Sequence, residues 1–228
     1  MNKMHTQSTY LHVKELLNPM QLAMVHSLLD TATYADGRET ASDAAKAVKN
    51  NLQIDMASQQ SNMLQQVMLE GLNQSPLLRN AIFPKHVYPF LFSKYDAGME
   101  YGWHVDSPLM GNMMRTDIAI TVFLNDPGAY EGGELELQSP AGTMLYKHAA
   151  GDAVCYPCTQ LHRVRPVTKG QRQVAVSWIQ SMVKDTEQRI ALFNIQQVID
   201  NLRIADLQSS EAHLLQQTHS NLLRMWAD

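Results

Sequence analysis

The chain has 228 residues, of which 45% are hydrophobic and 18% charged, so it can form one sizeable core and is unlike disordered, collagen-like or coiled-coil chains. Its 18 basic and 22 acidic residues give a net charge of -4, which argues against a nucleic-acid partner or an anionic membrane surface. Residues 1–7 lack the apolar stretch of a signal peptide, and no later run approaches the roughly 18 apolar residues that span a bilayer. Because two cysteines also suit a reducing compartment, we expect a cytoplasmic protein.

The front third of the chain is predicted to be mostly helical. Asn18 followed by a proline predicts the start of a first helix, because the pair supplies an N-cap and a residue suited to the first helical position. A second amphipathic helix is expected to end at Gly71, and Ser75 followed by a proline opens a short third one. Residues 38–57 lack strong periodicity, so they are predicted to be a long connection and a candidate lid.

From about residue 86 the pattern changes to short runs rich in Val, Ile, Tyr, Phe and Thr, separated by Gly, Pro, Asn and Asp. This alternation is typical of an all-β region. The predicted strands are 87–95, 118–124, 134–138, 143–146, 153–156, 161–165 and 174–180. Seven or eight short strands favour a sandwich or jelly roll.

After Val183 the apolar residues return to helical spacing in two segments, which predicts a C-terminal pair of helices. The fold class is therefore mainly β with helical flanks (α+β). Residues 1–183 are expected to form one domain, helical to about residue 85 with the jelly-roll core from about 86, and residues 184–228 a C-terminal helical extension. The Leu-rich extension is a candidate interface for a homo-oligomer.

One short motif suggests a metal site. His104 and Asp106 are separated by a single residue, so in an extended strand both side chains project from the same face and can bind one ion. A chain of this composition contains about one such tripeptide by chance, so the motif is weak alone. Singly, a histidine or an arginine is more often a core, surface or salt-bridging residue than a functional one.

Two later residues strengthen the metal-site hypothesis. His162 lies on a predicted strand of its own, and two histidines with one carboxylate form the facial ligand set of non-haem Fe(II) oxygenases, which leaves positions open for a cosubstrate and O₂. Arg172 follows a predicted reversal at residues 166–170, which would return it on an antiparallel strand facing the same interior. Its guanidinium suits bidentate capture of the distal carboxylate of 2-oxoglutarate.

Further sequence blocks surround these four residues. They are Ala-Asp-Gly-Arg at 35–38, Val-Lys-Asn-Asn-Leu at 48–52, Tyr95, Gly98 and Tyr101, Arg-Thr-Asp at 115–117, Tyr-Glu-Gly-Gly-Glu-Leu at 130–135, Gly-Asp at 151–152, Leu-His-Arg-Val at 161–164, Pro-Val-Thr at 166–168, Trp-Ile-Gln-Ser-Met at 178–182 and Asn-Leu-Leu-Arg-Met-Trp at 221–226. Over nearly the whole chain the sequence resembles the PKHD-type hydroxylases, bacterial Fe(II)- and 2-oxoglutarate-dependent dioxygenases related to prolyl 4-hydroxylases.

The resemblance implies roles for particular residues. By it, His104, Asp106 and His162 are the iron ligands, and Arg172 anchors the C5 carboxylate of 2-oxoglutarate. Tyr95 stands where related prolyl hydroxylases place a tyrosine near the cosubstrate. The resemblance further implies a double-stranded β-helix core, an oxidoreductase that hydroxylates a substrate with O₂ while converting 2-oxoglutarate to succinate and CO₂, and the binding of L-ascorbate, which keeps the iron reduced.

The substrate is not identified by any motif, and the family suggests a peptide or a siderophore-like small molecule. Residues 38–51 and 107–116 are the candidate substrate rim, since both are loop-like and the second follows the metal motif.

Two alternatives stay open at this point. Cys155 and Cys158 form a C-x-x-C motif, but it lacks the strand-to-helix context of a thioredoxin-like site, and a zinc site would need two more ligands, for which His148 is the evident nearby candidate. The second alternative is a cupin-like metal-binding protein without oxygenase turnover. Arg172 argues against it, because a pure metal binder has no need of that cation.

Overall fold

A computed structural model describes residues 10–41, 43–139 and 142–228. Residues 1–7, on which the signal-peptide argument depends, lie outside the described residues. The described helices are α1 (Pro19–Asp30), α2 (Asp43–Lys46), α3 (Gln59–Gln74), α4 (Pro76–Ile82), α5 (Thr186–Ala205) and α6 (Ser210–Trp226), with 3-10 turns at Gly37–Thr40 and Pro127–Ala129. Within these ranges no helix is both long enough and apolar enough to cross a membrane.

The strands pair in antiparallel fashion throughout the described chain. In chain order they are β1 (Leu11–Val13), β2 (Tyr34–Asp36), β3 (Lys49–Asn50), β4 (Leu52–Ile54), β5 (Pro84–Val87), β6 (Leu91–Asp96), β7 (Glu100–His104), β8 (Leu109–Met110), β9 (Met114–Arg115), β10 (Ile118–Phe123), β11 (Tyr130–Gly132), β12 (Leu135–Ser139), β13 (Gly142–Tyr146), β14 (Ala153–Pro157), β15 (His162–Val164) and β16 (Val167–Ser181).

Two sheets build the core. The larger has the order β1-β14-β10-β16-β6-β4-β2, with β5 and β11 also paired to β16, and the smaller has the order β13-β12-β15-β7-β3. Side chains of both sheets line one cavity. Two antiparallel sheets that face each other around one cavity agree with the predicted jelly roll, or double-stranded β-helix, and the predicted mainly β core with helical flanks is confirmed.

Strand β10 shows why the larger sheet is covered on both faces. Ile118, Ile120 and Val122 pack into the core shared with the N-terminal helices, whereas the alternate residues Ala119 and Phe123 belong to the core that lies against the smaller sheet. Since side chains alternate between faces along a strand, a strand in which all residues except Thr121 are apolar must be buried on both sides. The molecule is therefore layered as helices, larger sheet and smaller sheet.

The same alternation along β16 places a charged side chain, that of Arg172, in the cavity between the sheets. Ala175 and Ile179 face the helical layer. Arg172, Val174 and Trp178 line the cavity between the sheets. The period of two along one long strand thus directs Arg172 inward.

Three of the predicted helix boundaries near the N-terminus can be compared with the structure. Helix α1 begins as predicted, and the Asn18 side chain accepts a hydrogen bond of 2.9 Å from the Gln21 backbone N–H. Helix α4 also begins as predicted, after the N-cap Ser75. The prediction that the second helix ends at Gly71 is wrong, because α3 continues to Gln74. Gly71 serves a close approach instead: a Cβ atom there would lie 2.7 Å from the backbone oxygen of Leu16.

The prediction of a long connection over residues 38–57 is also wrong. This segment contains most of the Gly37–Thr40 turn, helix α2 and strands β3 and β4, while residue 42 lies outside the described ranges. Strand β3 pairs with β7, and β4 pairs with β6. Strands of two or three residues are too short to show a period, so only these long-range pairings define them.

The β region differs from its prediction in several places, and strands β7, β8, β9 and β11 are absent from the predicted list. The single strand expected over 87–95 is two strands, β5 and β6, and Pro89 lies in the break because it has no N–H for the ladder. The reversal expected at 166–170 is wrong, since β16 already begins at Val167 and belongs to the other sheet from β15. The chain crosses between sheets here, which still brings Arg172 into the shared interior.

The C-terminal helices α5 and α6 confirm the predicted helical pair. They share a small core with the end of α4, in which Phe83, Val183 and Leu192 are buried. The Asp228 backbone N–H donates a hydrogen bond of 3.0 Å to the Met182 carbonyl oxygen, so the last residue is fixed beside the end of β16.

Gly71→Ala is predicted to destabilise the protein although alanine favours helices. The helix propensity gains about 1 kcal/mol, but overpacking against the Leu16 backbone and the Leu17 side chain costs about 1–3 kcal/mol because backbone cannot easily move. Denaturant unfolding should show a lower free energy of unfolding. Gly128→Ala is the control, since nothing lies within 4 Å of its added Cβ. A Gly71→Ala protein more stable than the parent would contradict this account of the contact.

Candidate active site

The structure brings together His104, Asp106 and His162. His104 is the last residue of β7 and is the direct cross-strand partner of His162 on β15, with ring centroids 4.2 Å apart. The Nε2 atom of His162 lies 3.9 Å from Oδ1 of Asp106. One ligand atom from each residue lies within 4.8 Å of the other two, which fits a single metal ion.

The i, i+2 argument holds although Asp106 lies beyond the end of β7. Val105, between the two ligands, is 50% exposed, whereas the Asp106 side chain is only 7% exposed. The extended backbone therefore continues the alternation past the hydrogen-bonded strand and turns both ligand side chains inward.

Both imidazoles are held in the same way. Nδ1–H of His104 donates to the Gly102 carbonyl oxygen at 2.8 Å, and Nδ1–H of His162 donates to the Gln160 carbonyl oxygen at 2.9 Å. These bonds select the tautomer with Nε2 unprotonated, the form that binds a metal ion. The ring of Tyr101 stacks on His104 with centroids 3.6 Å apart, which further restricts its rotation.

Burial gives this cluster its electrostatic character. Burial, with a second contribution from the neighbouring His162, lowers the pKa of His104 to about 3, so its imidazole is neutral at neutral pH. Burial raises the pKa of Asp106, and its Oδ2 atom has no hydrogen-bond partner among the described residues. A divalent cation would offset both the desolvation of the carboxylate and its missing partner, so the residues fit a metal.

Arg172 lies on the wall of the same cavity, which has a volume of about 290 Å³. The residue is 1% exposed, and its Nε and Nη1 atoms are buried with no hydrogen-bond partner within the described parts of the chain. Its guanidinium carbon is 5.0 Å from the centroid of the Tyr95 ring. A buried cation with unused donors is costly unless an anion completes it, and a carboxylate matches its planar fork. The residues therefore also fit 2-oxoglutarate.

Sequence reasoning missed two neighbours of Arg172. Gly133 has φ +66°, and a Cβ there would lie 3.0 Å from Cδ of Arg172 and 3.1 Å from Cε2 of Tyr130. The missing side chain makes the space in which Arg172 and Tyr130 pack. Both residues stand in the Tyr-Glu-Gly-Gly-Glu-Leu block, but only the pairing of β11 with β16 shows why.

A buried lysine was also missed. The Lys49 ammonium donates a hydrogen bond of 2.9 Å to Oγ1 of Thr40, lies 5.4 Å from the centroid of the Tyr101 ring, and lines the same cavity. Burial lowers its pKa to about 8. No short-range pattern in the sequence predicts that Lys49 lines the cavity, since β3 reaches the cavity only through its pairing with β7.

The two cysteines do not belong to the candidate metal cluster. Cys155 and Cys158 are free and buried; burial raises the pKa of Cys155 to about 12 and that of Cys158 as well. Buried thiols of high pKa are inert, so the structure does not support the redox alternative. His148, the candidate zinc ligand, groups with His12 and Asp152 and not with either thiol.

The comparisons with known proteins agree with this geometry. The sequence model of the 2OG-Fe(II) oxygenase superfamily matches residues 90–180. A PKHD-type hydroxylase of Crocosphaera subtropica is 40% identical over 220 residues, covering 96% of this chain and 99% of its own.

Two solved structures show the same fold. A prolyl hydroxylase from Trichoplax adhaerens, solved with a hypoxia inducible factor oxygen degradation domain peptide fragment, has a TM-score of 0.58 at 14% identity, over 81% of this chain and 86% of its own. HygX from Streptomyces hygroscopicus, solved with nickel, 2-oxoglutarate and hygromycin B, has a TM-score of 0.55 at 12% identity, over 76% of this chain and 83% of its own.

The superfamily match and the PKHD-type relative define the class of protein: it is a non-haem iron dioxygenase that depends on Fe(II) and 2-oxoglutarate and acts with O₂ on a further substrate. Similarity over almost the full length narrows the assignment. The chain belongs to the PKHD-type hydroxylases.

The native protein should resist thiol reagents. Because both cysteines are buried and their pKa values are raised, neither thiolate is available at mildly alkaline pH. Ellman's reagent should label neither cysteine in native protein and both after denaturation. Rapid labelling of one thiol in the folded protein, with unchanged circular dichroism, would return the redox alternative to consideration.

Proposed function

We propose that His104, Asp106 and His162 bind Fe(II), that Arg172 binds the C5 carboxylate of 2-oxoglutarate, and that Tyr95 lies against the cosubstrate. The observation that carries this assignment is the buried Arg172 guanidinium with two unused donors, on the wall of the cavity that also holds the three candidate metal ligands. A cupin-like metal binder without turnover would leave that charge uncompensated.

When bound, Fe(II) would supply the oxidising chemistry, in which 2-oxoglutarate and O₂ are consumed, succinate and CO₂ are released, and one oxygen atom enters the substrate as a hydroxyl group. The protein's own contribution is to hold and orient. The carbonyl oxygens of Gly102 and Gln160 fix both imidazoles, and Tyr101 stacks on one of them. Asp106 would supply the single negative charge of the ligand set, and three protein ligands would leave coordination positions available to 2-oxoglutarate and O₂.

We propose residues 38–51 and 107–116 as the substrate rim. Glu39, Thr40 and Lys49 of the first segment and Ser107 and Met110 of the second line the cavity. The hydroxyl of Thr116 donates to the Ser107 carbonyl oxygen at 2.6 Å, which closes the second segment into a loop around the β8–β9 hairpin. A defined rim of this kind suits selection of a specific substrate.

The substrate proposed for this rim is a peptide or a siderophore-like small molecule. Several large apolar side chains near the metal motif are exposed, among them Trp103, Val105, Leu109 and Met113. The guanidinium carbon of Arg163 is 4.7 Å from the centroid of the Trp103 ring. An exposed apolar patch beside a cavity suits contact with an apolar or aromatic part of a ligand. The Trichoplax adhaerens enzyme, with its peptide, and HygX, with hygromycin B, support either size of substrate.

The proposal also covers the reductant that the enzyme uses and its location in the cell. L-Ascorbate is proposed as the reductant that keeps the iron in the Fe(II) state. A cytoplasmic location is supported by the two free cysteines.

Residues 1–183 are proposed as the dioxygenase domain and 184–228 as its helical extension, which packs on Phe83. Self-association through this extension is supported by the exposed side chains of Ile204 and Leu214, which are 83% and 64% exposed.

Arg172→Met is predicted to weaken 2-oxoglutarate binding while leaving metal binding unchanged. Loss of one member of a buried charge pair costs about 2–5 kcal/mol, so the dissociation constant should rise about 30-fold or more. Calorimetric titration of 2-oxoglutarate into Mn²⁺-loaded protein measures the effect, and Mn²⁺ titration checks the metal site. Arg224→Met, on the exposed surface of α6, is the matched control and should bind as the parent does. An unchanged affinity in Arg172→Met would refute the assignment of the anchor.

A further inference from the structure

A second cluster of metal-binding side chains lies outside the candidate active site. His12 is on β1, His148 follows β13, and Asp152 precedes β14. One ligand atom from each of the three lies within 4.8 Å of the others. The cluster shares no residue with the His104 site, and its donor set is also two imidazoles and one carboxylate.

The contacts within this cluster are close. Nε2 of His12 lies 2.7 Å from Oδ2 of Asp152. The rings of His12 and His148 stack with centroids 3.9 Å apart and an angle of 14° between their planes. Two imidazoles and one carboxylate are therefore close enough together to share one ion.

One nitrogen of the cluster lacks a partner. Nε2 of His148 is buried, and no hydrogen-bond partner for it exists among the described residues. A buried polar atom without a partner costs about 1–3 kcal/mol, so a ligand at this nitrogen would remove a real penalty.

The framework around the cluster is rigid. Oδ1 of Asp152 accepts a hydrogen bond of 2.9 Å from the Glu15 backbone N–H, which leaves Oδ2 directed at His12. The pairing of His12 with Val154 sets the register of β1 on β14. The edge of the Phe123 ring packs against His148, with centroids 5.4 Å apart. Supporting contacts of this kind hold metal ligands in place.

We propose that His12, His148 and Asp152 form a second divalent-metal site, for which Zn²⁺ is the best match, and that the bound ion ties β1 to the turn before β14. Two imidazole nitrogens and one carboxylate oxygen are favourable zinc ligands, with water in the fourth position. The His12 side chain is 33% exposed, which gives an ion and a water molecule access.

The ion requires only a small adjustment. Ligand atoms about 2.0–2.1 Å from a tetrahedral zinc ion lie roughly 3.3 Å from each other, somewhat further apart than His12 and Asp152 now are. Since His12 is partly exposed on the edge strand of its sheet, a slight rotation of its side chain opens the space. The competing account is a plain His12–Asp152 ion pair with His148 stacked beside it.

Zinc stoichiometry separates these accounts. Full-length protein stripped of metal is dialysed to equilibrium against micromolar Zn²⁺ near neutral pH, and bound zinc is counted by mass spectrometry. The proteins are the parent, His104→Ala, His148→Leu, the combination of both, and the control His213→Gln, which removes an exposed histidine from α6. Leucine fills the space beside Phe123 without offering a ligand atom.

Two zinc ions per chain are expected in the parent and in His213→Gln. One zinc ion per chain is expected in His104→Ala and in His148→Leu, and none in the variant that combines these two substitutions. Zinc should also raise the melting temperature of His104→Ala but not that of the double variant. One zinc per parent chain, lost in His104→Ala, would overturn the proposal while leaving the active-site assignment intact. Two zinc ions in His148→Leu would overturn it as well. If His148→Leu fails to fold, His12→Gln takes its place with the same expected counts.

Discussion

The structure depends on the burial of one positive charge, the Arg172 guanidinium, between two apolar sheets. Arg172 is 1% exposed, and two of its nitrogen atoms have no partner within the described chain. A fold retains such a charge only where a ligand or a counter-charge completes it. Gly133 gives it space, Tyr95 lies under it, and the alternation along β16 directs it inward. The sheets, the cavity and the proposed binding of the 2-oxoglutarate C5 carboxylate are therefore aspects of one arrangement.

Cross-strand pairing brings together the residues of the proposed metal centre. His104 and His162 are far apart in sequence, but they are direct partners on β7 and β15, and each donates Nδ1–H to a carbonyl oxygen two residues earlier. The ligands are thus oriented by backbone atoms, which side-chain substitutions cannot remove. The cluster of His12, His148 and Asp152 follows a similar rule at the sheet edge, where a backbone N–H orients its carboxylate. The proposed second site would therefore use the same donor types as the candidate active site.

Much of this could be predicted from the sequence, because several signals are local. The i, i+2 spacing of His104 and Asp106, the N-cap at Asn18 and the apolar run that forms β10 are visible in short windows. The errors have a common physical origin in tertiary contact. Gly71 resembled a helix end but accommodates the Leu16 backbone, and β3 and β4 exist only through pairing with distant strands. The orientation of Lys49 and the grouping of His148 with His12 are likewise invisible until the sheets assemble.

The most direct test of the account is anaerobic addition of Fe(II) and then 2-oxoglutarate to the purified protein, followed by visible absorption spectroscopy. The account predicts a weak charge-transfer band that requires both additions and is absent in His104→Ala, whereas His213→Gln, which alters an exposed histidine on α6, retains it. A parent protein that binds Fe(II) but develops no band with 2-oxoglutarate would contradict the account, and a cupin-like metal-binding protein would then be the better description.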